Sequence, residues 1–199
     1  MVYKIFALIL MIFLSGCSFN KVAPKEYTLS LVHTAHNSKV QGCKDKTLKV
    51  KNVFGSSDIM SERMSYAMGD LEYYHYSQAR WQEAPAEILT QKILEHLRDT
   101  DIFKEVIAPS SRAKGEWLFE TNILRFVQKF DHNAQNSKVE LKMHLSIVDR
   151  RDETIVSSKT LTLFLDAPSD DAHGGVEALN AVLQKGLQQQ QEWLEGVCQ

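Results

Sequence analysis

Between Val139 and Ile147 apolar and polar residues alternate without a break. Val139, Leu141, Met143, Leu145 and Ile147 are apolar, and Glu140, Lys142, His144 and Ser146 stand between them. A period of two sends successive side chains to opposite faces, so this segment predicts a strand with one buried and one wet face. Its neighbours predict partners. Trp117 to Gln128 is apolar at 117, 119 and 123, then at 124 and 126, a change of phase that predicts a β-bulge near Ile123. After the charged turn Asp149 to Glu153, Ile155 to Leu165 predicts a returning strand.

The earlier half carries weaker patterns. Tyr27 to Val32 alternates as a strand, and Thr47 to Phe54 predicts a second, with Leu48, Val50 and Val53 inward. Gly55 to Asp58 breaks it. Glu62 to Met68 and Leu71 to Tyr76 flank Gly69-Asp70, which predicts a hairpin with a two-residue turn. Ala84-Pro85 opens a helix, because proline suits the first helical position. Ala86, Leu89, Ile93 and Leu97 then form one apolar stripe, and the helix should end near Thr100. Val106-Ile107 suggests a short strand. Past Ser169-Asp170-Asp171, a good helix start, Val176, Leu179, Val182, Leu183, Leu187 and Leu194 supply the stripe of a long final helix. No regular βαβα alternation exists. The expected fold class is α+β: a largely antiparallel or mixed sheet covered on one face by two helices, in a single domain.

The first residues read differently. Lys4 precedes an apolar run from Ile5 to Leu14, about half the ~20 residues that a membrane-crossing helix needs. A positive start, a short apolar core and small residues read as a secretion signal. Leu14-Ser15-Gly16-Cys17 resembles the bacterial lipobox, in which an invariant cysteine follows a leucine and two small residues. Residues 1–16 are then a lipoprotein signal peptide, Cys17 carries the lipid, and residues 17–26 form a tether to a domain at 27–199. Two or more acyl chains give stable attachment. As a flexible coil, the nine residues from Ser18 to Glu26 span about 17 Å.

Composition adds limits. The 199 residues carry a net charge of −2, which offers no electrostatic footprint for nucleic acid. An exported chain meets an oxidising compartment, where Cys43 and Cys198 could form a disulfide. Two independent thiols are the alternative, since sequence does not give their separation.

The sequence contains no nucleophile elbow, phosphate-binding glycine loop, zinc-protease helix or Cys-x-x-Cys pair. The seven histidines are scattered; His33 and His36 lie close together but lack a third ligand nearby. Asp149 to Glu153 suits a hairpin tip, and Asp170-Asp171 suits a helix cap. The expectation is therefore no catalytic residue, no metal, no cofactor and no enzyme. The Tyr73-Tyr74-His75-Tyr76 run and Arg80-Trp81 before Pro85 are more distinctive. Tyr73, Tyr74 and Trp81 are either half-buried packing residues or an exposed aromatic contact for a partner or lipid. Trp81 would staple the start of the helix.

With the lipobox, the Tyr27-Thr28-Leu29 strand, the Tyr-rich strand leading to Trp81 and Pro85, and Phe103 and Val106 at the spacing of a Phe-x-x-Val ending, the chain resembles the ABC-type transport auxiliary lipoproteins, the PqiC-like group. Leu124-x-Phe126, the alternating strand and the late helix extend the resemblance over nearly the whole mature chain. It departs at Asp101-Ile102, where the family often has a small residue before the phenylalanine. The resemblance implies an auxiliary or docking subunit working with an inner-membrane ABC permease and ATPase and with MCE (mammalian-cell-entry) domain proteins, moving phospholipid or other hydrophobic cargo between membranes. ATP would be hydrolysed elsewhere. It also implies an envelope lipoprotein facing the periplasm, and Ser18 after the lipidated cysteine favours the outer over the inner membrane. A homo-oligomer is compatible. The competing readings are a lipid carrier with its own cavity and an outer-membrane assembly lipoprotein. A carrier needs an apolar cavity of several hundred cubic ångströms. Phe119, Phe126, Met143, Leu161 and Trp193 are large enough to fill that space instead.

Overall fold

The computed structural model describes residues 23–30, 36 and 38–199. The expected signal peptide, Cys17, His33 and residues 31–32 of the first expected strand lie outside the described residues.

Among the described residues nine strands make one mixed sheet. They are β1 Lys25–Tyr27, β2 Thr47–Val50, β3 Phe54–Gly55, β4 Arg63–Met68, β5 Glu72–Trp81, β6 Glu105–Ile107, β7 Trp117–Phe130, β8 Ser137–Asp149 and β9 Thr154–Asp166. Among the described residues two helices, α1 Pro85–Asp99 and α2 Ala172–Val197, complete the α+β fold. The long strand β7 organises the sheet. On one side it pairs antiparallel with β8, which pairs with the edge strand β9. On the other side three short strands take successive parts of it in parallel: Leu48 lies opposite Trp117, Phe54 opposite Asn122 and Tyr66 opposite Gln128. Outside these run β6, beside β2, and β5, beside β4.

The bulge falls where the change of phase predicts it. Ile123 pairs with Met143 and Arg125 with Lys142, leaving Leu124 as the extra residue. It re-aims the strand so that Phe126, rather than Arg125, turns into the core. The inward residues of β8 are fully buried from Val139 to Ile147, packed with Leu179, Val182, Leu183 and Leu187 of α2. Burial of each such side chain contributes roughly 1.5–3 kcal/mol.

Three expectations are corrected. Residues 47–54 do not form one strand. Val53 N–H donates to the Thr90 hydroxyl of α1 at 2.9 Å, so it is not available to a sheet ladder and the strand divides into β2 and β3. The first strand begins at Lys25 and ends at Tyr27, so the tether expected at 17–26 overlaps it by two residues. The hairpin turn has three residues, because Met68 pairs with Glu72. Gly69 takes φ +60° there, and Leu71 belongs to the turn. Trp81 ends β5 and stacks on Phe126 at 6.3 Å between centroids, buried in the same cluster as Ala86 and Leu89 of the following helix.

Helix α1 starts at Pro85 as expected and shows its Leu89-Ile93-Leu97 stripe to the core. Helix α2 is capped by Asp171, whose carboxylate accepts from Gly174 N–H at 2.8 Å. Gln188 to Gln191 lie within α2.

Candidate functional site

The three aromatic residues singled out by sequence do not make one surface. Alternation along β5 puts Tyr73 on the face away from the helices and Tyr74 on the opposite face, stacked on Tyr66 at 5.6 Å. Trp81 is 3% exposed and so presents no contact surface. What the run does build is a tyrosine cluster at the start of α2. Tyr66 lies 4.7 Å from Tyr76 and 5.4 Å edge-on to Phe130. Tyr76 donates its hydroxyl to Gln128 Oε1 at 2.8 Å. Burial, with Tyr66 and Asp171 nearby, holds the Tyr76 phenol well above its ordinary value.

Cys43 and Cys198 are joined, with an S–S distance of 2.01 Å and a sequence separation of 155. Both are buried, and Gly42 N–H donates to the Cys198 carbonyl at 3.0 Å. The bond fastens the segment before β2 to the last turn of α2.

The titratable groups are in structural roles. Asp149 is held below the usual carboxylate range chiefly by hydrogen bonds from Arg151. Asp171 is likewise lowered by Gly174 N–H and the Ser169 hydroxyl. His75 meets Ser65, and His144 meets Thr160, each at 2.9 Å. Among the described residues no group of three histidine, cysteine or carboxylate side chains could hold a metal. None of the described helices is long and apolar enough to cross a membrane.

Sequence reasoning missed the outward face of the sheet. Phe54 is 66% exposed, Ile155 67% and Phe164 50%; Tyr73 and the bulge residue Leu124 join them. Register places Phe54, Ile155, Phe164 and Tyr73 on the face that α1 and α2 leave open. Paired polar groups separate them: Lys51 with Glu120 at 2.9 Å, and Lys129 with Glu140 at 3.5 Å. Lys138 Nζ stands 5.4 Å over the Phe164 ring. Large apolar groups thus stand singly among paired charges on this face. One sequence signal existed. Leu163-Phe164-Leu165 breaks strict alternation, placing an aromatic ring where a polar residue belongs.

Among the described residues, large side chains occupy the space between the helices and the sheet. Phe119, Met143 and Leu161 are buried, and Trp193 packs within 6.4 Å of Phe119 between helix and sheet. The larger concavities described are open surface grooves of about 350 and 380 Å³, whose mixed walls set Phe130 beside Asp70, Lys129 and Asp166 in one and Tyr27 and Tyr76 beside Lys25, Gln78 and Asp171 in the other.

The fold recurs in solved structures. Protein XCC0632 of Xanthomonas campestris superimposes with a TM-score of 0.76 at 15% identity, over 87% of this chain and 95% of that one. CT253 of Chlamydia trachomatis gives 0.52 at 15% identity, over 77% and 98%. No curated protein matches the sequence. The family described as ABC-type transport auxiliary lipoprotein component matches residues 27–189. The chain therefore belongs to the ABC-type transport auxiliary lipoprotein family.

Proposed function

We propose that this lipoprotein is a docking subunit of an MCE-type ABC transport system, anchored through Cys17 and facing the periplasm, that helps move phospholipid or other hydrophobic cargo between membranes. The observation that carries the reading is the contrast between the filled helix–sheet core and the open sheet face. A carrier would have to shelter acyl chains from water, which takes an apolar cavity of several hundred cubic ångströms. Here Phe119, Met143, Leu161 and Leu183 occupy that space. The open face instead presents Phe54, Ile155 and Phe164 to a partner. The family supplies the transport setting; the MCE-domain partner, the outer-membrane anchor and the non-enzymatic role are part of this proposal.

The test is co-purification. The intact chain should capture the MCE-domain protein encoded with the same permease and ATPase. Phe54→Glu together with Phe164→Glu should abolish capture without lowering Tm. A purified chain that carries stoichiometric phospholipid and ignores the MCE protein would replace docking with the carrier reading.

A further inference from the structure

We infer that the tip of the β4–β5 hairpin, centred on Leu71, rests on the surface of the membrane that holds the lipid anchor. The inference relies on the reading of Cys17 as lipidated.

The first observation is the direction of the chain. Strand β1 runs parallel to β5, with Lys25 opposite Ala79 and Tyr27 opposite Trp81. Traced backwards, the chain therefore heads along β5 towards the hairpin tip. Ala23 continues that course and shares a groove with Tyr76, Ser77 and Gln78.

The second is length. Six residues separate Ala23 from Cys17, a reach of about 20 Å when fully extended. From the level of Ser77 to Leu71 along β5 is also six residues, about 20 Å. The opposite end of the sheet, where Trp117, Asp149 and Thr154 meet, lies about nine residues along β7 from that level, or about 30 Å. Acyl chains on Cys17 can thus reach the tip end and fall short of the far end.

The third is what the tip presents. Leu71 is 92% exposed, an apolar side chain held at the apex of a tight turn. Tyr73 and Tyr74 follow on the two faces of β5. A leucine with tyrosines behind it suits the boundary between headgroups and acyl chains. The flanking carboxylates are engaged: Asp70 with Lys129 Nζ at 2.7 Å, and Glu72 accepting from the Tyr74 hydroxyl at 2.8 Å. They keep the contact shallow and favour a zwitterionic surface over an anionic one. The hairpin thus orients the domain, leaving the acyl chains to hold it.

The experiment uses the full lipidated chain in phosphatidylcholine vesicles with brominated acyl chains. Leu71→Trp replaces an exposed residue and leaves the core untouched. Its added emission should shift to the blue and be quenched by the bromines. Ile155→Trp, at the far end, should be neither shifted nor quenched. If the chain floats with the vesicles but Leu71→Trp emits as it does in water, or Ile155→Trp is the quenched variant, the hairpin contact is wrong and the anchor stands. If the unsubstituted chain does not float at all, the anchor reading fails and the hairpin contact fails with it.

Discussion

Gln128 is held at both ends of its amide: Oε1 accepts from the Tyr76 hydroxyl at 2.8 Å, and Nε2 donates to the Ser137 hydroxyl at 2.8 Å. Three strands, β5, β7 and β8, are thereby joined beneath the first turn of α2. Tyr76→Phe would leave Oε1 buried and unsatisfied, a cost of about 1–3 kcal/mol. Urea titration should show a lower midpoint with an unchanged slope.

The same tyrosine gives a pH dependence. Burial first, then the neighbouring Tyr66 and Asp171, raise its folded-state pKa above the unfolded value near 10. Its contribution is therefore fully present below pH about 10 and is lost as pH rises through the folded value, because the unfolded chain ionises first. We expect stability to fall above pH about 10. It should fall less steeply in Tyr76→Phe, measured by denaturant titration across the alkaline range. Equal slopes for both chains would remove Tyr76 from the account.

Gly175 sits against this network. A β-carbon there would collide with Gln128 Oε1, and Gln128 is not free to swing aside. Gly175→Ala should cost about 1–3 kcal/mol through overpacking. At roughly 2–4 °C per kcal/mol for a chain of this size, calorimetry would register it readily. Adding Gln128→Ala should recover part of the loss, so the pair should be non-additive.

The Cys43–Cys198 bond closes a loop of 155 residues, and loop-closure entropy alone gives about 5 kcal/mol for that length. Replacing both cysteines by serine should cost roughly 2–5 kcal/mol. Amide exchange should speed up most in the last turn of α2, around Leu194 and Val197. Uniformly faster exchange would mean that the bond acts only through the unfolded chain.

Asp171 caps the 26-residue helix α2 through Gly174 N–H. Asp171→Ala should cost about 1 kcal/mol, and Asp171→Asn much less, because an amide oxygen still accepts the bond. The carboxylate is lowered mainly by that bond, so its contribution is present above the ordinary carboxylate range and is lost as pH falls through the folded value. Thermal melts of the two variants at neutral and acid pH should converge with the unsubstituted chain on the acid side.

Much of the fold was legible because it depends on local periodicity. The alternation of β8, the bulge in β7, the stripe of α1 behind Pro85 and the acidic start of α2 are short-range patterns, and each has its counterpart in the structure. Where distant groups compete, the pattern gave out. Thr90 of α1 takes the Val53 N–H and divides a strand that looks continuous. The alternation of β5 sends Tyr73 and Tyr74 to opposite faces, but it could not reveal that Tyr74 stacks on Tyr66 or that Trp81 meets Phe126.

The sequence by itself determined the α+β class, the number of long strands and the two helices between Pro85 and Val197, since hydrophobic period and turn chemistry are properties of consecutive residues. Only the tertiary structure decided the rest. It joined Cys43 to Cys198 across 155 residues, laid β1 parallel to β5, left Phe54, Ile155 and Phe164 on an open face, and raised Leu71 at the tip of a turn. These depend on which strand meets which, and strand pairing is set by packing between segments that no local pattern relates.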